Sequence, residues 1–143
     1  KMFVHFTSPV DGYLAVYLLN RETASCLLPY AGNANGFHRV RHGKDYILFS
    51  RKVYDEEDNL DNIDEYFLTT EGNHQDLNQL YFIFSPNKFI KAIDRKRDKK
   101  AFDQLQYPRE LSWTNFQKWI LKLRKTDKEV SVQTQYLTIS PLQ

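Results

Sequence analysis

The chain has one cysteine, one methionine, five glycines and five prolines in 143 residues, and no uninterrupted apolar run longer than Tyr13–Leu19. A single thiol, Cys26, closes no intrachain disulfide and completes none of the multi-cysteine zinc or redox patterns. The longest apolar run falls far short of the ~18–20 residues that cross a bilayer, so no transmembrane helix is expected. The phosphate-cradling patterns GxxxxGK[ST] and GxGxxG are missing, as is the nucleophile elbow GxSxG, which removes the local signatures of nucleotide enzymes and of one large hydrolase class. A surplus of one charge is missing too. Lys+Arg 20 against Asp+Glu 18 leave a net charge of +2, which gives no global reason to expect nucleic acid or an acidic membrane surface as partner. There is no internal repeat and no visible signal peptide. The start Lys1-Met2 reads as a processed or truncated piece, so the missing leader carries no weight.

What the chain does have is aromatic residues, 10 Phe, 9 Tyr and 2 Trp, too many for a disordered segment. Its length suits one globular domain, residues 1–143, able to bury roughly two-thirds of its unfolded surface. Tyr13-Leu-Ala-Val-Tyr-Leu-Leu19, after Asp11-Gly12, is apolar on both alternating faces and predicts a central strand covered on two sides. Ser25–Tyr30 predicts a second strand, with Pro29 marking a strand end or an edge. Ala31-Gly-Asn-Ala-Asn-Gly36 is loop composition. Phe37–Arg41 and Tyr46–Ser50 predict two strands joined by a turn at Gly43. Glu65–Thr70 and Gln79–Ser85 are again strand-like.

Ser85-Pro86 predicts a helix start, with Phe89, Ile90 and Ile93 on one stripe. The clearest helix is Ser112–Lys125, where Trp113, Phe116, Ile120 and Leu123 recur at helical spacing with Trp119 flanking them. Ser112 is its expected N-cap. Lys122, Arg124 and Lys125 crowd the C-terminal turn, where cations suit the helix dipole. Val130–Ile139 predicts a last strand whose inward face switches between Thr134 and Leu137, as a bulge would cause. The expected fold is mainly β (α+β): an antiparallel, sandwich-like sheet with one or two helices near the C-terminus.

Chemistry is thin along this frame. His38 and His42 are four apart, but on a strand that spacing is about 13 Å, too far for one ion. His5 and His74 are isolated. Asp55–Glu65 carries seven carboxylates in eleven positions, yet Asp55-Glu-Glu-Asp-Asn-Leu60 lacks the glycine and ligand spacing of an EF-hand, so it reads as a solvated acidic loop. Cys26, in an apolar run, reads as a small buried hydrophobe rather than a reactive thiol. Lys88–Lys100 is the most polarised stretch, with seven basic residues against Asp94 and Asp98. With Phe89 and Phe102 beside it, this segment has the charge and rings to hold an anionic glycan or phosphate backbone, against the plainer reading of a solvated segment. No catalytic, metal-ligating or cofactor-binding residue is assigned.

Asp11-Gly-Tyr-Leu-Ala-Val-Tyr-Leu-Leu19, Cys26-Leu-Leu-Pro-Tyr30 and Gly43-Lys-Asp-Tyr46 resemble the bacterial domain-of-unknown-function family 4384. The likeness continues through Asn78–Phe89 and Phe116-Gln-Lys-Trp119 with Asp127 after it, in a form similar to members from Bacteroidetes, and spans Phe3 to Ile139. The resemblance implies a β-rich accessory module of a longer envelope or exported protein, periplasmic or at the cell envelope, with no established activity and no functional residues to carry over.

The expected function is therefore a non-enzymatic interaction module with a protein partner. Small molecules or an anionic glycan are further candidates; nucleic acid is not expected. Its candidate surface is Tyr30, Asn33, Asn35 and Phe37 around the glycine-rich loop, with Arg95, Arg97, Lys99 and Lys100 in the basic segment. The alternative is a ligand-binding or hydrolytic domain whose site is assembled from distant histidines and carboxylates, marked by a polar pocket holding His38 or His42 beside a carboxylate.

Overall fold

Tyr13–Leu19 is apolar throughout because it lies at the middle of the molecule with both faces covered. It forms most of strand β2 (Gly12–Leu19), flanked along one edge by β6 (Asp76–Ser85) and along the other by β3 (Thr23–Leu28) and β4 (His38–Val40) in tandem. The computed structural model describes residues 1–20, 22–30, 36–50, 63–68, 76–90, 92 and 109–139. Within them β7 (Glu110–Ser112) continues the sheet beyond β3, and β8 (Ser131–Ile139) continues it beyond β6, giving six antiparallel strands in the order β7-β3-β2-β6-β8 with β4 also on β2. A second, two-stranded ribbon pairs β1 (Val4–Phe6) with β5 (Tyr46–Leu48). One helix, α1 (Trp113–Thr126), is present among the described residues. The fold is mainly β with a helix near the C-terminus, as the sequence predicts.

The alternation of a strand distributes two cores to the two faces of the large sheet. Ala15, Tyr17 and Leu19 of β2 and Ile83 of β6 face α1, where Tyr17 packs on the rings of Phe116 and Trp119 at centroid distances of 5.2 and 5.3 Å. Leu14 and Val16, with Leu80, face the ribbon and meet Tyr46, Leu48, Phe49 and Tyr30. The layers are thus helix, sheet and ribbon.

A bulge adjusts β3 to this scheme. Val16 pairs with Leu28 but Tyr17 with Cys26, so Leu27 is an extra residue and both leucines turn to the ribbon-side core while Cys26 stays on the helix side. β3 then ends at Pro29, whose peptide bond with Leu28 is cis. The bulge expected in β8 is not there: its pairing with β6 runs without interruption from Asp76↔Ile139 to Phe84↔Ser131. Val132 and Leu137 pack on opposite cores because they have opposite parity in a regular strand.

Other sequence expectations are corrected. Phe37–Arg41 and Tyr46–Ser50 do not pair with each other. β4 joins the large sheet and β5 the ribbon, because the turn between them is held by outside partners: Gly43 N donates to Ser8 O (2.9 Å) and His42 N to Asp11 Oδ1 (2.8 Å). Residues 86–90 are not helical. There Asn87 N donates to Ser85 Oγ, Trp119 Nε1 donates to Ile90 O (3.0 Å), and Phe89 is buried against Phe37 and Trp119, which holds the segment across the helix rather than coiled; Ile93 lies outside the described residues. Of Glu65–Thr70 the described part makes a single bridge, Met2↔Tyr66. The acidic block is described only from Ile63, which is buried; Asp64 and Glu65 are engaged by Arg109 and Lys1 rather than fully solvated.

Candidate interaction edge

β8 is built for a sheet and, among the described residues, is paired on one side only. Val132, Thr134, Tyr136, Thr138 and Ile139 are β-branched or aromatic, the residues that suit a pleated surface. Its start is fixed by Asp127 at the end of α1. That carboxylate accepts hydrogen bonds from the Ser85 hydroxyl, from Asn87 Nδ2 (3.1 Å) and from Glu129 N (2.9 Å), and these bonds, the Ser85 one foremost, hold its pKa below the ordinary carboxylate value. From there nine consecutive residues pair with β6.

The other long side of β8 has no strand beside it among the described residues. Ser131, Gln133, Thr134, Gln135, Tyr136 and Thr138 are exposed, and Tyr136 keeps 59% of its surface. Natural edges are guarded by lysine, proline, bulges or shortness. β8 has no charged residue, no proline, no glycine and no register break, whereas β7 at the opposite end of the sheet is three residues long. Beside β8, on the ribbon side, runs a groove of about 360 Å³ floored by Leu80 and Phe82 and walled by Val4 and Phe6 of β1 and Gln135 and Leu137 of β8. Phe3, 46% exposed, stands at its rim.

A second, more open depression is lined by Ser25–Leu27 of β3, Asp64–Tyr66, Arg109 and Glu110. Arg109 donates to Pro29 O (2.6 Å) and reaches the sulfur of Cys26 (3.7 Å) and Asp64 (3.9 Å). Tyr66 donates to Leu27 O (3.2 Å), and burial, helped by the Asp64 charge, pushes its hydroxyl up to about 12. The Cys26 thiol is 4% exposed and donates to Leu28 O (3.4 Å), so it packs as part of β3. These contacts tie β3, β7 and the 63–66 segment together.

Tyr30 is not on the surface. It is 8% exposed, accepts a hydrogen bond from Phe49 N (3.1 Å) and packs edge-on to Phe49 and His38. Phe37 is half-buried against Tyr13 and Phe89. Both rings serve the cores, so neither supplies the exposed contact expected of it. Asn33, Asn35, Arg95, Arg97, Lys99 and Lys100 lie outside the described residues. His38 is buried between Tyr30 and Tyr46. His42 does meet a carboxylate, with Nδ1 2.7 Å from Asp11 Oδ1, but both side chains are about two-thirds exposed and line neither depression. The backbone N–H of His42, and then its ring, hold the Asp11 pKa below its usual value.

Among the described residues no group of three or more His, Cys, Asp or Glu is placed to hold a metal ion, and no helix is long and apolar enough to cross a membrane. The fold thus defines a mainly β domain, with two antiparallel sheets and one helix among the described residues. Comparison with family models, with curated proteins and with solved structures returned no match. The sequence held one signal of the β8 edge that composition alone did not raise: Ser131–Ile139 is strand-like yet free of charge on both faces, where a solvent-facing edge normally carries some.

Proposed function

We propose that this chain is a non-enzymatic protein-interaction module that accepts an extended segment along β8, adding a strand to its large sheet. The observation that carries the reading is the uncharged, unbroken nine-residue edge with a groove beside it. In strand addition the main-chain bonds supply affinity, and pockets for alternate side chains supply selectivity. The His42–Asp11 pair, the strongest candidate for catalysis, is an exposed pair away from either depression, which favours binding over hydrolysis. On the resemblance that motifs such as Asp11–Leu19 and Cys26–Tyr30 bear to domain-of-unknown-function family 4384, we further propose that the module belongs to a bacterial envelope or exported protein.

The test is capture with the chain, followed by hydrogen exchange on the captured complex. Added protection is expected in Gln133–Leu137, and Gln133→Lys/Gln135→Lys should abolish capture while leaving the melting temperature within about 2 °C, since both side chains are exposed. Protection elsewhere, or undiminished capture by the lysine variant, overturns the reading.

A further inference from the structure

Resting on the strand-addition reading of β8, we infer that the segment it accepts is β8 of a second copy of this chain, paired antiparallel about Gln135.

A twofold interface brings one patch against itself, so the patch has to be self-complementary. With Gln135 opposite Gln135, all nine residues of each strand find a partner, and any other register leaves some of them unpaired. The facing pairs are then Thr134 with Tyr136, Gln133 with Leu137, Val132 with Thr138 and Ser131 with Ile139. Two of them match a β-branched residue to an aromatic or β-branched one, the pairings that stabilise sheets. No charge meets a like charge anywhere along the interface, because Ser131–Ile139 holds none. Lysine or glutamate, the usual guard against self-pairing, would meet itself here and oppose the contact. The net charge of +2 per chain adds little repulsion between copies.

Pairing also completes the side of β8 beside which no described strand lies. Its outward N–H and C=O groups gain partners, and the two large sheets become one continuous sheet with both helices on one face and both ribbons on the other. Tyr136, more than half exposed in the single chain, lands directly against the second copy's Thr134. The contact is a strand about 30 Å long without a broad flanking surface. It falls below the about 800 Å² per partner of a standard interface, so the dimer is expected to dissociate in the micromolar range rather than the nanomolar.

The experiment uses the intact chain. Sedimentation of the wild type should show a dimer at about 100 μM that dissociates on dilution, and Gln135→Lys, which sets two ammonium groups face to face, should raise the dissociation constant at least about tenfold. Register is read by oxidation. Gln135→Cys should form a disulfide-linked dimer, since directly opposed residues place their Cβ atoms about 4.5–5.5 Å apart, whereas Gln133→Cys, about 13 Å from its own copy in this register, should not. The wild type, whose one thiol is buried, is the blank. A chain that stays monomeric at all concentrations while capture of another protein depends on the β8 edge overturns the second-copy inference and leaves strand addition standing. A dimer that forms equally well with Gln135→Lys and is not cross-linked through Gln135→Cys overturns this inference, and with undiminished capture by the lysine variant it overturns strand addition as well.

Discussion

Gly12 and Gly43 are glycines for opposite reasons. At Gly12 a Cβ would sit 2.5 Å from both the Phe84 ring and the Ser85 carbonyl oxygen, so β2 and β6 meet there only because a side chain is missing. Gly43 has open space around it but a φ of +70°, which L-residues rarely adopt. Gly12→Ala should therefore cost about 1–3 kcal/mol through overpacking. Gly43→Ala should cost about 1–2 kcal/mol from the left-handed backbone, with Gly43→Asn costing less because Asn tolerates that region. Urea unfolding of the three variants checks this; equal losses at Gly43 for Ala and Asn would contradict it. Tyr66 gives a pH signature. Its pKa is about 12 in the folded chain against 10.0 ordinarily, so folding favours the protonated hydroxyl. That contribution is fully present below pH 10 and is lost as pH rises toward 12. Melting temperature should fall more steeply over that window in the wild type than in Tyr66→Phe, and parallel curves would show that Tyr66 ionises as freely in the folded chain as in the unfolded. Of these features, the Asp11-Gly12 and Gly43 punctuation was legible in the sequence. The close approach of Phe84 to Gly12 was not, since it depends on a residue 72 positions away.

At the scale of elements, legibility followed length and periodicity. β2, β6, α1 and β8 are each eight residues or longer, and the sequence located all four to within a few residues. Of the three-residue strands, β4 and β5 were located but β1 and β7 were not, and the pairing of β4 and β5 was misread, because nothing in Phe37–Ser50 reveals that Ser8 and Asp11 hold its turn. Within α1 the two tryptophans exchange the roles their spacing assigned. Trp113, at the first position, is 39% exposed, while Trp119 is 5% exposed and reaches Tyr17, Phe89 and Phe116. A stripe drawn from Trp113 is pulled toward the wrong edge of the buried face, which is made by Phe116, Trp119, Ile120 and Leu123. Trp119→Ala should thus cost about 3–5 kcal/mol, and Trp113→Ala under about 1 kcal/mol as a surface change. Ser112, whose Oγ accepts from Asn115 N (3.2 Å), is the N-cap the sequence predicts, and Ser112→Ala should remove about 1 kcal/mol. Thermal unfolding of the three variants separates these expectations, and a larger loss at Trp113 than at Trp119 would contradict the packing described for α1.

Across the whole molecule, one sheet serves two cores, and this sets how the domain should unfold. β2 alternates its side chains between them, Tyr17 and Leu19 toward α1 and Leu14 and Val16 toward the ribbon, so neither core keeps its floor if β2 leaves its neighbours. The cores themselves lie on opposite faces of the sheet. Ile120 of α1 and Ile63 beneath the ribbon are each buried, one in each cluster, and share no side-chain cluster. Ile120→Val and Ile63→Val should each cost about 0.5–1.5 kcal/mol. Because sites about 10 Å apart without common partners add, the double variant should lose the sum of the two within about 0.5 kcal/mol. Both losses should appear in one transition with an unchanged denaturant slope, since the shared strand makes partial unfolding of either face expose the other. Two separable transitions, each sensitive to only one substitution, would show instead that helix and ribbon layers stabilise the sheet independently. In that case a partner strand on β8 would stabilise only the layer it touches; with a single transition, its pairing raises the stability of both cores together.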